Sequence, residues 1–315
     1  MRIVVTGGAG FIGKHVLDWL VGGRHDVLAI DDFSRGRREH IPSQVSLQVA
    51  DLSQMAATDL AGLFEGFGAE AVVHLAAVHF IPECMKNPER TFAINTKSTH
   101  SLIEAVQLSA VSRVVIASTL DVYPVEDCIH QEDHRPGPSN IYGLTKSLSE
   151  QLLEYAVRVG ACESGVALRL GNVYGPNETN PHLIPDALER IRKRDAAALV
   201  MGYLGTERDF VHVKDIARAF GAAVTRGPAG YHALNAGTGT GVAIRSVVRT
   251  LQALLGDNRP MQENAAAFRK FDRRSLTPSV AAIERVLGWR AETQIADGLQ
   301  QLVADVVGER RERAA

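Results

Sequence analysis

Cysteine is scarce in this 315-residue chain, which has only Cys84, Cys128 and Cys162. Three scattered thiols are too few for a disulfide framework or a zinc site, and no metal is expected. They fit a reducing, cytoplasmic home. An excess of one charge is also missing: 34 Lys and Arg stand against 36 Asp and Glu, a net charge of −2. With no strongly basic block, nucleic acid and membrane surfaces are excluded as main partners. No apolar stretch approaches the roughly 20 residues that a membrane helix needs. The opening Met1-Arg2-Ile3-Val4-Val5-Thr6 reads as a strand and not as a signal peptide. Internal repeats and low-complexity segments are absent too. What remains is an ordinary globular balance, 45% hydrophobic and 22% charged. The length allows one large domain or two unequal lobes.

Short apolar runs alternate with helical patterns through the first half. Ile3–Thr6, Val27–Ile30, Val45–Val49, Ala71–Leu75, Val114–Ala117 and Gly165–Leu170 read as strands. The pattern predicts helices over Phe11–Val21, Asp59–Phe67, Pro88–Leu108 and Tyr142–Val159. This alternation predicts an α/β chain with a Rossmann-type, doubly wound parallel sheet. The strands lack polar alternation, as expected when both sheet faces are covered. After Asn172 the rhythm changes, and Pro176, Pro181 and Pro185 punctuate the chain. The reading is a dinucleotide-binding domain over 1–171, with returning segments at about 208–245. Residues 172–207 and 246–315, including a short helix at Ala281–Leu287, form a smaller C-terminal lobe for substrate.

Gly7, Gly10 and Gly13 follow the first strand directly, with Phe11 and Ile12 between them. Glycine at such positions permits the tight turn, the close approach of backbone to a pyrophosphate, and close helix–strand packing. The helix beyond offers free N–H groups and a positive dipole end. Asp31 ends the second strand, 18 residues past Gly13. A carboxylate there accepts from ribose hydroxyls and repels a 2′-phosphate, which favours NAD over NADP. Arg35, Arg37 and Arg38 leave a phosphate-accepting loop open as the alternative to a solvated basic loop. Asp51, after the third strand, is either an acceptor for the adenine amino group or a turn cap.

Tyr142 and Lys146 lie four residues apart, on one face of a helix. An ammonium near a phenol favours the phenolate and lowers a tyrosine pKa from its reference of about 10. Such a tyrosine can act as a general base.

With these residues in place, the chain resembles the extended short-chain dehydrogenases/reductases, and within them the nucleotide-sugar epimerases/dehydratases. The resemblance spans nearly the whole length. It rests on Gly7–Gly13, His74-Leu75-Ala76-Ala77, Ser118-Thr119 before Val122-Tyr123, and Tyr142/Lys146. It continues through Arg169-Leu170-Gly171-Asn172-Val173-Tyr174-Gly175-Pro176, Arg208-Asp209-Phe210-Val211-His212-Val213-Lys214-Asp215 and Leu287-Gly288-Trp289.

The resemblance implies roles. Phe11, Ile12, Leu52 and Leu75–Ala77 line the cofactor, and Asn95 stands with them as a structural asparagine near the active site. Thr119 bonds the sugar O4, Tyr142 takes its proton, and Lys146 binds the nicotinamide ribose. Asn172 touches a substrate phosphate, and Arg208 clamps the diphosphate, with Arg269 as a second clamp. His79 and His182 fall in regions that face the sugar. A homodimer built on helix packing is implied as well.

Three positions near Thr119 depart from the pattern. Pro124 replaces the usual glycine after Val122-Tyr123. Asp121 stands where dehydratases and decarboxylases of this group carry a glutamate that works near C5, while Leu120 replaces the aspartate acid of one 4,6-dehydratase class. Asp121 is thus either a C5 acid–base group or a turn cap. The expected activity is an NAD-dependent nucleotide-diphospho-sugar 4-epimerase. A 4,6- or 5,6-dehydratase or decarboxylase is the rival enzyme, and a non-catalytic NAD sensor is the rival of another class.

Overall fold

The computed structural model describes residues 1–178, 180–264 and 273–314, with side chains through residue 306. Seven strands form one parallel sheet: β1 (Arg2–Thr6), β2 (Asp26–Asp31), β3 (Ser46–Val49), β4 (Ala71–His74), β5 (Arg113–Thr119), β6 (Ser164–Leu170) and β7 (Gly230–Ala236). Their order is β3-β2-β1-β4-β5-β6-β7. This is the doubly wound order with one strand added. The chain reverses direction across the sheet between β1 and β4, where Thr6 pairs with His74 and also with Ile30. A crevice opens at that switch point, beyond the strands' carboxyl ends.

Side-chain alternation explains why the strands read as continuous apolar runs. Ile3, Val5, Ala71, Val73 and Val115 face one layer of helices, and Val4, Val72, Val114 and Ile116 face the other. Both sets are buried, so neither face tolerates polar positions. The first layer contains Val16, Leu17 and Leu20 from helix Phe11–Gly22, and Ile216 and Phe220 from helix Val213–Arg226. The second layer contains Leu60 and Phe64 from helix Ala57–Phe67, Leu102 and Val106 from Ser98–Gln107, and Leu153 from Ile141–Arg158.

Two stretches differ from the sequence reading. The helix predicted over Pro88–Leu108 is three pieces: α-helix Pro88–Phe92, a π-helical turn Ala93–Lys97, and α-helix Ser98–Gln107. The wide turn holds Asn95, whose amide is bonded to a loop outside the helix. Helix Ala281–Leu287, read as part of the smaller lobe, packs its Ile283 and Leu287 into the first layer beneath the large sheet. Trp289 joins them and donates its indole N–H to the Asp215 carbonyl at 3.0 Å.

The remaining elements build a second core. Helices Leu183–Lys193, Ile244–Leu254 and Ile295–Ala314 bring together Ile184, Leu188, Ile191, Val248, Leu251 and Leu302. A short four-stranded sheet joins Ile129–His130, from the first half of the chain, to Ser275–Pro278 and Glu207–Arg208. Among the described residues no helix is long and apolar enough to cross a membrane.

Candidate active site

A cleft of about 520 Å³ runs along the carboxyl ends of the strands. One end is the glycine turn after β1. Gly7 has φ +70°, and a Cβ there would lie 2.7 Å from the Ala76 amide nitrogen. A Cβ at Gly13 would lie 2.2 Å from the Gly7 carbonyl oxygen. Only glycine fits either place, so the backbone itself forms the wall. Asp31 closes this end. Its carboxylate accepts the Ala9 N–H at 2.9 Å and the Phe33 N–H at 2.8 Å. Burial pushes its pKa up, and these two bonds oppose that push. The set fits a dinucleotide: a bare glycine turn, a helix start at Phe11, and an anchored carboxylate at the end of β2. Of the nearby arginines, Arg35 pairs with Glu83, and the Arg38 guanidinium lies 4.8 Å from the Phe33 ring centroid. Asp51 accepts the Ser53 N–H at 2.9 Å, so it does cap a turn, and it also lines the cleft. Phe11, Ile12, Leu52, Leu75, Ala76 and Ala77 line the cleft as well.

The opposite end is built by β5 and the helix that follows it. Thr119 ends β5, and its hydroxyl accepts the Asp121 N–H at 3.2 Å. Asn140 caps helix Ile141–Arg158 by accepting the Gly143 N–H at 2.9 Å. A Cβ at Gly143 would lie 2.3 Å from the Asp121 carbonyl, so glycine lets the helix start against the Leu120–Val122 turn. This close packing sets Tyr142 beside Thr119, whose hydroxyl acts to lower the phenol pKa. Thr119, Asp121, Tyr142 and Lys146 all line the cleft.

The electrostatics correct one expectation. Spacing from Lys146 predicts Tyr142 below the usual phenol range, but it is pushed above it, first by desolvation and then by the Asp121 carboxylate and the Cys84 thiol. The Thr119 hydrogen bond only partly opposes this. Lys146 is 4% exposed, and burial lowers its pKa to about 8, with Cys84 and Glu150 holding it up. Spacing on a helix places the two groups on one face, but desolvation is the largest influence on each. Glu150 in turn forms a buried pair with Arg169 at 2.8 Å and accepts from Ser118.

Several other residues can now be placed. Asn172, His79 and His182 line the cleft. Asn95 is not in its wall: its amide donates to Val78 O at 2.9 Å and to the Thr145 hydroxyl at 3.0 Å, and its carbonyl accepts the Val78 N–H at 2.8 Å. It holds the cleft loop in place from behind. Arg208 is not in the wall either. It donates to the Glu207 carbonyl at 2.7 Å and the Arg273 carbonyl at 2.9 Å. Arg269 lies outside the described residues. Glu178 and Asn180 line the cleft but carried no motif of their own. The available signal was their position between Asn172 and His182, on a proline-marked crossing from one lobe to the other. Away from the cleft, Cys128, His130 and His134 lie with potential ligand atoms within 4.8 Å of one another, a gathering the cysteine count did not suggest. Arg273 presses its positive charge on His130, which opposes a cation there.

The profile of the NAD-dependent epimerase/dehydratase family matches residues 3–237. A UDP-glucose 4-epimerase of Corynebacterium glutamicum is 31% identical, with 93% of this chain and 91% of that protein covered. One from Azospirillum brasilense is 32% identical, with coverages of 95% and 89%. The solved UDP-glucose 4-epimerase of Thermotoga maritima, with UDP-glucose, superposes with a TM-score of 0.90 at 25% identity, covering 98% of this chain and 99% of that one. That of Thermus thermophilus, in complex with NAD, gives 0.85 at 28% identity, covering 96% and 98%. The chain belongs to the NAD-dependent epimerase/dehydratase family.

Proposed function

We propose that the protein is an NAD-dependent 4-epimerase of nucleotide-diphospho-sugars, with UDP-hexoses as the first substrates to test. The observation that carries this reading is the pairing of Thr119 with Tyr142 beside Lys146 at one end of a cleft whose other end is the Gly7–Gly13 turn and Asp31. The glycine turn and the N-terminus of helix Phe11–Gly22 hold the cofactor pyrophosphate, and Asp31 holds its adenosine ribose. NAD⁺, when bound, supplies a reversible hydride acceptor and one positive charge. Tyr142 takes the O4 proton of the sugar and later returns it. Thr119 orients O4 and shares the proton path through its bond to the phenol. Lys146 binds ribose hydroxyls and adds positive charge near the phenol. Because desolvation, with Asp121 and Cys84 adding to it, keeps the proton on Tyr142, the phenolate forms only where positive charge accumulates around it. Asn172 contacts the substrate phosphates. Arg208 serves as a diphosphate clamp once released from the carbonyls it now binds.

One observation favours a second reading. Asp121 lines the cleft, with its carboxylate 3.4 Å from Asn140 Nδ2 and 3.9 Å from Arg273. A carboxylate facing the sugar could remove a C5 proton and make the enzyme a dehydratase.

Incubation with UDP-, dTDP-, GDP- and CDP-sugars without added NAD, read by mass spectrometry, separates these. A new isomer of unchanged mass is the expected result. Loss of one water identifies the dehydratase, and no change with any sugar overturns both readings. A cytoplasmic homodimer completes the proposal. Leu108, just past the end of helix Ser98–Gln107, and Leu144 and Tyr155, on helix Ile141–Arg158, are exposed and suit a helix-packed interface, which light scattering tests.

A further inference from the structure

The cleft contains a polar cluster that none of the roles above uses. The loop after β4 supplies His79, and the crossing after Asn172 supplies Glu178, Asn180 and His182. The Glu178 carboxyl hydrogen-bonds with His182 Nδ1 at 2.5 Å, with only 3% of the Glu178 side chain exposed. Asn180 Nδ2 lies 3.0 Å from His79 Nε2. The His79 and His182 rings are 5.5 Å apart between centroids. His79 also feels the charge of Lys146, so the cluster reaches the end of the cleft where Tyr142 stands. Burial holds His79 neutral, with its pKa lowered to about 4. Glu178 is the one carboxyl group of this cluster; burial pushes its pKa up, and the His182 contact opposes that push.

We propose that Glu178 makes this wall a charge filter, selecting neutral hexoses and rejecting hexuronates. The inference rests on the 4-epimerase reading, because it takes the sugar to lie with C4 at Tyr142. An ionised carboxylate only accepts hydrogen bonds. It suits the hydroxyls of a neutral sugar and opposes a second carboxylate in the same enclosed space. The C6 substituent of a hexose is a near neighbour of C4. Epimerisation at C4 turns the ring over, so C6 meets both walls of the cleft during one cycle. A C6 carboxylate meets Glu178 in one of the two poses, whereas a C6 hydroxyl can donate to it. His182 weakens the repulsion without removing it, since its Nδ1 already occupies one oxygen of Glu178.

The test compares UDP-glucose with UDP-glucuronate on the NAD-loaded enzyme, by calorimetric binding and separately by turnover. The wild type should bind UDP-glucose at least about tenfold more tightly, which is about 1.4 kcal/mol. Glu178→Gln should shrink that ratio at least about fivefold, mainly by improving UDP-glucuronate. Equal binding of both sugars by the wild type overturns the filter, as does an unchanged ratio in a folded Glu178→Gln protein. The wild-type ratio decides alone if the variant does not fold. If the ratio is as stated but neither sugar is epimerised, the reaction assignment fails and the filter stands. Turnover of both sugars with equal affinity removes the filter and leaves the reaction assignment standing.

Discussion

The Asp31 carboxylate accepts the backbone N–H of Ala9 at 2.9 Å, tying the end of β2 to the glycine turn after β1. One side chain thus braces the turn and faces the cleft. Asp31→Ala removes a charge-assisted acceptor worth about 1.5–3 kcal/mol. NAD affinity should fall at least about tenfold, and the preference for NAD over NADP should shrink as the repulsion of a 2′-phosphate is lost. Titrations with both cofactors check this, and an unchanged NAD/NADP ratio would remove Asp31 from cofactor selection.

Tyr142→Phe should reduce turnover by about 10²–10⁴-fold, the usual loss for a general base, with NAD still bound. In the proposed reaction the phenol transfers a proton, and its loss should cost the fold little. Activity above about a tenth of wild type would exclude Tyr142 as the essential base.

Lys146 is held in the free protein against a burial cost. Its folded pKa of about 8 is depressed from 10.5, so at pH 7 the ammonium is charged and desolvated. Between about pH 8 and 10.5 the unfolded chain keeps a proton that the folded one has released, so stability should rise with pH across that window. Lys146→Met should therefore stabilise the free protein at pH 7 by about 1–3 kcal/mol, with the gain fading above pH 8, while abolishing turnover. Denaturant melts at pH 7 and pH 9.5 measure this. A less stable Lys146→Met protein at pH 7 would contradict it.

Asp121 separates the two enzyme readings. An epimerase needs no group at the C5 hydrogen, so Asp121→Asn should retain a sizeable fraction of activity. The change keeps size and most hydrogen bonding. NADH absorbance building up in the variant, or C5 deuterium uptake from heavy water by the wild type, would instead mark a dehydratase.

Arg208→Ala should raise the Michaelis constant for the nucleotide sugar with little effect on NAD affinity. Loss of one side of a buried charge contact costs on the order of 2–5 kcal/mol. The alternative is written in its present bonds to the Glu207 and Arg273 carbonyls. A lower melting point with an unchanged Michaelis constant would make Arg208 a structural clamp.

The glycine turn and the carboxylate at the end of β2 were readable from spacing alone. Gly7, Gly13 and Asp31 lie within one strand–helix–strand unit, where local geometry dictates what each residue can face. The doubly wound sheet was readable for a similar reason, since strands covered on both sides must be apolar throughout. The helix read as continuous from Pro88 was not, because its break depends on Asn95 bonding to Val78, outside the helix. Glu178 escaped notice because its meaning comes from His182 and from His79, and the His79–Asn180 contact spans 101 residues of chain. The ionisation of Tyr142 beside Lys146 was misjudged for the most general reason. Their helical spacing is local, and it brought them to one face as expected. Desolvation is a property of everything packed around them, and it reversed the expected direction at Tyr142. Short-range backbone rules therefore settle where the cradle and the pair stand, and only long-range packing decides what charge each group bears.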